Sequence, residues 1–300
     1  MRTKKISRLR KLIDLTDRVA VVTGGTGLLG AEFCRTLVES GAQIIIADID
    51  EVAASALAES ISSDFLLTNL HSSLPTQEER AGIKERAIAV KTDVTDPISV
   101  QNMVYTAQQA FSRLDILVNC AALDPKFDSQ HISSGHLSSG AFEDFPLEAW
   151  NQALAVNLTG VFLCCQAAIK PMLVQGGGVI VNLSSIYGLV APDQRMYQRP
   201  DQPPQYKPVY YTVTKFGILG LTRYLAAYYG RNNIRVNALS PGGVYNDHDD
   251  AFLQAYSTRT VLGRMAKKDE INGALLFLVS DASTYMTGAN LVIDGGWTTW

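Results

Sequence analysis

Seven short runs of β-branched and aliphatic residues recur along the chain, each separated from the next by a stretch long enough to hold a helix. They are Val19–Thr23, Gln43–Ala47, Ala87–Thr92, Ile116–Asn119, Gly178–Leu183, Ile234–Leu239 and Asn290–Ile293. The runs are mostly apolar instead of alternating with polar residues, the pattern of strands buried on both faces of a parallel sheet. Helical segments such as Leu28–Ser40 and Trp150–Val174 lie between them. The pattern predicts an α/β fold, a doubly wound, seven-stranded parallel sheet with helices on both faces. Neither repeats nor low-complexity linkers divide the chain, so residues 14–300 are expected to form a single domain behind a basic tail of residues 1–13. A 300-residue chain that is 47% hydrophobic can bury such a core without metals or disulfides.

Three connections are long for this fold. One lies around Ser63–Gly82, one spans Leu123–Phe145 after the fourth run, and one spans Pro192–Pro208 after the fifth. The last two sit beyond strand carboxyl ends, where open α/β sheets bind ligands, and are expected to shape a substrate pocket. A formal charge of −3 and a pI near 5.8 give no general attraction to nucleic acid. The local exception is Arg2, Lys4, Lys5, Arg8, Arg10 and Lys11, read as a mobile tail or a subunit-contact arm. The apolar stretches look shorter than the ~18–20 residues that span a bilayer, and no signal-peptide core is present, so a cytoplasmic protein with no membrane partner is expected. Cys34, Cys120, Cys164 and Cys165 form no C-x-x-C pair and no zinc-ligand spacing, which points to reduced, buried thiols and no metal.

After the first run comes Thr23-Gly24-Gly25-Thr26-Gly27-Leu28-Leu29-Gly30, leading into Ala31–Ser40. Glycines there make a tight turn and let backbone approach a pyrophosphate, which sits on free N–H groups at the positive end of the helix dipole. The order strand, loop, helix makes this a candidate dinucleotide site. Asp48 follows Gly30 by eighteen residues, where a carboxylate can accept from both adenosine ribose hydroxyls and would repel a 2′-phosphate. With no Arg or Lys in the loop or beside Asp48, NAD is expected over NADP. Asp50 reads as the cap of a helix over Val52–Ile61. Asp93, after the third run, would bond the adenine edge or else cap a turn.

Tyr211-Thr212-Val213-Thr214-Lys215 opens the helical segment Val209–Tyr229, so phenol and ammonium share a helix face. A cation beside a phenol favours the phenolate and moves its pKa toward the working range. Upstream, Asn182-Leu183-Ser184-Ser185-Ile186-Tyr187-Gly188 ends the fifth run and can offer a hydroxyl to a substrate carbonyl, Ser184 being the more structural of the two serines. Asn157 is an amide within an apolar helix, where its propensity is poor, and expects a buried water or a backbone carbonyl as partner.

In this order the residues resemble the short-chain dehydrogenase/reductase family, over about Asp14 to Trp297. The carriers are Thr23–Gly30, Asn119-Cys120-Ala121-Ala122, Asn157, Ser185, Tyr211 and Lys215, then Pro241-Gly242 and the C-terminal Ile293-Asp294-Gly295-Gly296 of the compact branch. The resemblance implies a Rossmann fold in which Tyr211 is acid/base, Lys215 also holds the nicotinamide ribose, Ser185 orients substrate and Asn157 supports a water leading from Lys215 to solvent. It implies cofactor contacts from Gly24, Thr26, Gly27, Leu28, Leu29, Gly30, Asp48, Asp93, Val94, Asn119, Ala121, Tyr211, Lys215, Pro241, Gly242 and Val244. It also implies a homo-oligomer, dimer or tetramer, paired through Trp150–Val174 and Val209–Tyr229. Four features depart from the family pattern. The spacing of Gly24, Gly27 and Gly30 is that of the extended, sugar-nucleotide branch. Asn119–Ala122 lacks the usual second Asn and closing Gly, and Asn246 replaces a usual Thr. Ser185 and Tyr211 stand 26 residues apart, about double the usual interval, so Pro192–Pro208 must loop out if the two are to meet.

Gln194, Arg195, Tyr197, Arg199, Gln202 and Tyr206 of that segment, with Tyr245, Asp247, His248, Asp249 and Asp250 after Gly243, suit a polyhydroxylated, sugar-like small molecule. An exposed loop or one against another subunit would have the same composition. The flanks of the segment resemble family members of bacterial surface and flagellar nonulosonic-acid pathways. The expected reaction is hydride transfer between NAD(H) and a secondary alcohol or ketone. The competing readings are an epimerase or dehydratase that retains its NAD, and a nucleotide-binding regulator without turnover. The short C-terminus speaks against the first. The second has no need of Asn157, Ser185, Tyr211 and Lys215 together.

Overall fold

The structure, a computed structural model, describes residues 8–69, 86–124, 141–199 and 203–300. In chain order the elements are α1 (Arg8–Leu12), β1 (Val19–Thr23), α2 (Leu28–Glu39), β2 (Gln43–Asp48), α3 (Glu51–Asn69), β3 (Ala87–Lys91), α4 (Pro97–Phe111) and β4 (Ile116–Asn119). Then come α5 (Leu147–Leu154), α6 (Val161–Gln175), β5 (Gly178–Leu183), α7 (Val209–Tyr229), β6 (Ile234–Pro241), α8 (Asp250–Ser257), α9 (Asn272–Val279) and β7 (Asn290–Ile293). All seven expected runs become strands of one sheet, ordered β3-β2-β1-β4-β5-β6-β7 and parallel at every pairing. The strand order reverses between β1 and β4, which opens the crevice typical of doubly wound sheets at the carboxyl ends.

Side chains alternate across the sheet into two cores. Val19 and Val21 of β1 join Ile45, Leu117 and Ile180 beneath α4, α6 and α7. Ala20 and Val22 join Ile44, Ile46 and Ile116 beneath α2, α3 and α9. Both sheet faces are thus covered, and this is why the strands carry so little polar sequence.

The helices depart from expectation in two places. The helix foreseen over Val52–Ile61 runs Glu51–Asn69 and takes in the start of the Ser63–Gly82 connection, while Asp50 does cap it by accepting from the Ala53 N–H at 3.0 Å. Residues 70–85, and 125–140 of Leu123–Phe145, lie outside the described residues, as do Arg2, Lys4, Lys5 and Gln202. The second departure is the run Leu147–Gln175, which is long and apolar enough to cross a membrane by length and composition, against the expectation that no stretch is. Half of its most apolar window is buried, with Cys164, Cys165, Ala168 and Met172 seated on the sheet. Its apolarity is accounted for by packing in the core. Between α5 and α6 this run is wound as a π-helix over Ala155–Gly160.

Candidate active site

A cleft of about 650 Å³ lies along the carboxyl edge of the sheet, bordered by the loops after β1, β4, β5 and β6. On its nucleotide side the chain leaves β1 and turns at Gly24, whose φ of 62° lies in the left-handed region. A Cβ there would stand 2.6 Å from Cα of Ala121, and one on Gly30 would stand 2.0 Å from the Gly24 carbonyl oxygen. The loop, α2 and the β4 exit therefore approach as closely as glycine alone permits. Gly27 begins α2 with no side-chain cap, which leaves the first-turn N–H groups without a side-chain acceptor. Gly24, Thr26, Gly27, Leu28 and Leu29 line the cleft, and this glycine cradle at a helix N-terminus fits a dinucleotide pyrophosphate.

The expected acidic contacts prove to be doubly engaged. Asp48 Oδ2 accepts from the Thr26 N–H at 2.9 Å and from its hydroxyl at 2.7 Å, and Oδ1 accepts from the Asp50 N–H. It braces the glycine loop from β2. Asp93 accepts from the N–H and hydroxyl of Thr95 at 2.8 and 2.7 Å, the turn-capping role. Asn119 points into the core, donating to Asn182 Oδ1 at 2.8 Å. Asp48, Asp93, Val94, Asn119, Ala121, Gly30 and Asn157 are absent from the cleft lining, whereas Pro241, Gly242 and Val244 belong to it.

On the catalytic side, Pro208 caps α7, which places Tyr211 and Lys215 on the face toward β5. Tyr211 and Ser185 meet at the cleft across the sequence interval between them, near enough for Ser185 to act on the phenol. Ser185 also accepts from the Tyr187 N–H at 3.2 Å, capping a single 3-10 turn, Ile186–Gly188. Lys215 Nζ donates to the Leu183 carbonyl at 2.9 Å and lies 5.5 Å from the Tyr211 ring centroid. Ser184 donates to the Lys215 carbonyl at 2.8 Å, the structural role expected of it.

Burial holds the Tyr211 phenol well above its ordinary pKa, the Asp124 carboxylate pushes the same way, and the nearby Ser185 hydroxyl opposes both. Burial also lowers the Lys215 ammonium. The expected depression of the phenol by its lysine is not seen, and desolvation sets the direction of the shift. Asn157 accepts from the Leu123 N–H at 2.7 Å and donates to its carbonyl at 3.0 Å. It fastens the β4 exit to the π-wound turn, a backbone partner as expected.

Two side chains at this centre escaped the sequence reading. Lys207 Nζ stands 4.1 Å over the Tyr211 ring centroid and is ion-paired with Asp124, and both line the cleft. The available signal was spacing, since Lys207 precedes Tyr211 by the same four residues by which Lys215 follows it.

The substrate side is more aromatic than expected. Ile186, Tyr187, Met196, Tyr197, Phe252, Tyr256, Met265 and Trp297 form a third buried cluster. Tyr187 and Tyr197 share a hydrogen bond of 3.0 Å between their hydroxyls, and Tyr187 meets the Tyr211 ring edge-on at 6.4 Å. The 192–208 segment is ordered over Gln194–Tyr197 as a 3-10 turn. Among its expected substrate residues Tyr197 lines the cleft, while Gln194, Arg195, Arg199 and Tyr206 do not. The polar groups of Gln194, Arg195 and Arg199 fasten the segment instead. Gln194 brackets the Lys207 backbone at 2.8 and 3.1 Å, Arg195 turns to Asp193 and Arg199 to Asp249. After β6, Asn246, Asp247, His248 and Asp249 line the cleft, and Tyr245 and Asp250 do not. His248 stacks on Phe252 at 4.9 Å, and burial lowers its pKa. Cys34, Cys164 and Cys165 are buried, and Cys120 at the cleft has its thiol pushed up to about 11 by burial. Among the described residues no group of His, Cys, Asp and Glu could hold a metal ion.

A family model described as enoyl-(acyl carrier protein) reductase matches residues 63–298. A trans-4-hydroxycyclohexanecarboxylate dehydrogenase of Sinomonas cyclohexanicum is 34% identical over 94% of this chain and 93% of its own. A D-threitol dehydrogenase of Mycolicibacterium smegmatis is 35% identical over 95% of this chain and 94% of its own. A hydroxysteroid dehydrogenase of Mycobacterium tuberculosis is as similar, 34% identical over 94% of this chain and 90% of its own. Among solved structures, a gluconate 5-dehydrogenase of Burkholderia cenocepacia with NADP and tartrate superposes with a TM-score of 0.79 at 26% identity, covering 98% of this chain and 100% of its own. A short-chain dehydrogenase of Leptospira borgpetersenii with bound NAD+ has a TM-score of 0.75 at 28% identity, covering 99% of this chain and 98% of its own.

Proposed function

The chain belongs to the short-chain dehydrogenase/reductase family, and on that premise we propose an NAD-dependent alcohol dehydrogenase or ketoreductase acting on a secondary alcohol or ketone of a polyhydroxylated, sugar-like small molecule. The observation that carries this reading is the meeting of Ser185, Tyr211 and Lys215 in a cleft whose other end is the glycine cradle. When bound, the nicotinamide supplies or accepts the hydride. Tyr211 Oη gives its proton to the substrate oxygen in reduction and takes it back in oxidation. Ser185 hydrogen-bonds that oxygen, and Lys215 supplies the neighbouring positive charge. Gly24 to Leu29 receive the pyrophosphate on backbone N–H groups, and Pro241, Gly242 and Val244 border the nicotinamide end. Asp48 selects the unphosphorylated ribose of NAD. Asp93, Val94, Asn119, Ala121 and Asn157 shape the site from behind the cleft wall.

The sugar-like substrate is supported by the hydroxyl and carboxylate groups of Tyr187, Tyr197, Asp247 and Asp249 in the lining, and by relatives named for threitol and gluconate. The aromatic faces beside them also suit the carbon body of a ring. A nonulosonic acid belongs among the trial substrates on the resemblance of the 192–208 flanks. Exposed Phe162 on α6 and Phe216, Tyr224 and Tyr228 on α7 support pairing of two copies through those helices, and the buried thiols suit the cytoplasm.

The test is to incubate purified protein with NAD and a panel of sugars, polyols and sugar acids while following NADH absorbance and product together. One NADH per product supports the proposal. Product without net NADH would instead identify an epimerase that retains its cofactor, and silence with no nicotinamide binding would remove the reading altogether.

A further inference from the structure

Lys207, Tyr211 and Lys215 recur at intervals of four residues, so the phenol is flanked by two ammonium groups of different standing. Lys215 reaches under Tyr211 to the Leu183 carbonyl, inside the protein. Lys207 lies over the ring, at 4.1 Å from its centroid, and belongs to the cleft wall. The 192–208 segment fixes it there. Gln194 donates to the Lys207 carbonyl and accepts from its N–H, and Pro208 follows at once as the cap of α7.

A cation held in this way costs desolvation that an apolar side chain would not incur. Lys207 is only 8% exposed. Its partner Asp124 is not comparably enclosed, for 48% of that side chain is exposed. The ammonium is built in, while the carboxylate upon it can turn to solvent and leave its place to another carboxylate. That place lies beside the Tyr211 ring, near enough for the carboxylate charge to act on its phenol.

We propose that Lys207 is the substrate-selecting cation of this enzyme, taking the carboxylate of a hydroxy acid whose secondary alcohol meets Tyr211, with Asp124 occupying the same position when substrate is absent. The inference rests on the dehydrogenase reading and narrows its substrate class from polyhydroxylated molecules to their acids. Asp124 then has a second use. Its carboxylate pairs with the Lys207 ammonium between turnovers. A substrate acid replaces one charge-assisted pair by another.

Matched probes separate charge from shape. Threonate and galactonate, each beside its own carboxamide, are assayed for NADH formation and titrated calorimetrically into the NADH-loaded protein. The wild type is expected to favour the acid over the amide by about tenfold or more in kcat/KM and in affinity. Lys207→Met brings that ratio to about one, chiefly through KM, and Lys207→Arg restores much of it. The proposal is overturned if the wild type takes amides as readily as acids, if Lys207→Met keeps the preference, or if no acid binds in a Lys207-dependent way. Turnover of amides without any acid preference would overturn this inference alone. Lys207-dependent binding of acids without any turnover would support it while removing the dehydrogenase reading.

Discussion

The nucleotide half and the substrate half of the cleft are built by different means. In the first, backbone is shaped by glycine, and two carboxylates brace turns within a few residues or one strand of themselves. In the second, side chains far apart in sequence hold one another, as in Asp193 with Arg259, Arg199 with Asp249, and Trp297 stacked on Tyr256 at 4.5 Å. The nucleotide half tolerates little change because backbone contacts leave no room to adjust. Changes in the substrate half should be graded, since each side chain there has several neighbours that can repack.

The largest effect is expected in the backbone-built half. Gly24→Ala would force a Cβ to within 2.6 Å of Ala121 in a left-handed backbone, and NADH affinity should fall more than about a hundredfold or folded protein be lost. Gly273→Ala, with nothing near its Cβ, is the matched control and should bind NADH as the wild type does. Fluorescence titration with circular dichroism reads both, and a mild Gly24→Ala would erase the contrast between the halves. Next, Trp297→Ala removes a side chain of the aromatic cluster and should cost about 3 kcal/mol in denaturant unfolding. Surviving protein should keep its NADH affinity and lose substrate KM. Equal damage to both would show that the halves are mechanically one.

The pH dependence bears on the phenol where the two halves meet. Alcohol oxidation needs the deprotonated phenol, and burial raises its pKa above the ordinary value. Oxidation should therefore climb with pH through the neutral and mildly alkaline range, approaching about tenfold per unit, while ketone reduction, which uses the protonated form, should not gain. A pH-independent oxidation rate would place the proton elsewhere. Of similar or smaller size is Asp48→Ala, expected to shift the NAD to NADP preference by about tenfold. Because Asp48 also holds Thr26, some affinity for NAD should go with it. A wild type that already prefers NADPH would contradict the cofactor assignment.

The same division explains what the sequence disclosed. Strand runs, the glycine loop and the Tyr211 to Lys215 spacing are local patterns, and local patterns report backbone geometry and helix faces directly. The purpose of Asn157 was half visible, since an amide in an apolar helix demands a partner, but that partner is Leu123, thirty-four residues away. The polar residues of the 192–208 segment looked like substrate contacts because composition cannot separate groups that line a cleft from groups that hold its wall. Gln194, Arg195 and Arg199 do the latter. Lys207 was overlooked because its helical spacing to Tyr211 continues across Pro208, a residue that ordinarily marks a helix boundary. The length of α3 was missed because Ser and Asp after Ile61 resemble a stop signal, although they sit within the helix.

The central claim is that Tyr211 exchanges the substrate proton in a site whose nicotinamide binding is independent of it. It is tested most directly by comparing wild type and Tyr211→Phe in one experiment, with NADH formation on the best alcohol of the panel and NADH binding read side by side. The account predicts a fall in kcat of about a thousandfold with NADH affinity within about twofold of the wild type. Activity undiminished in Tyr211→Phe would contradict it.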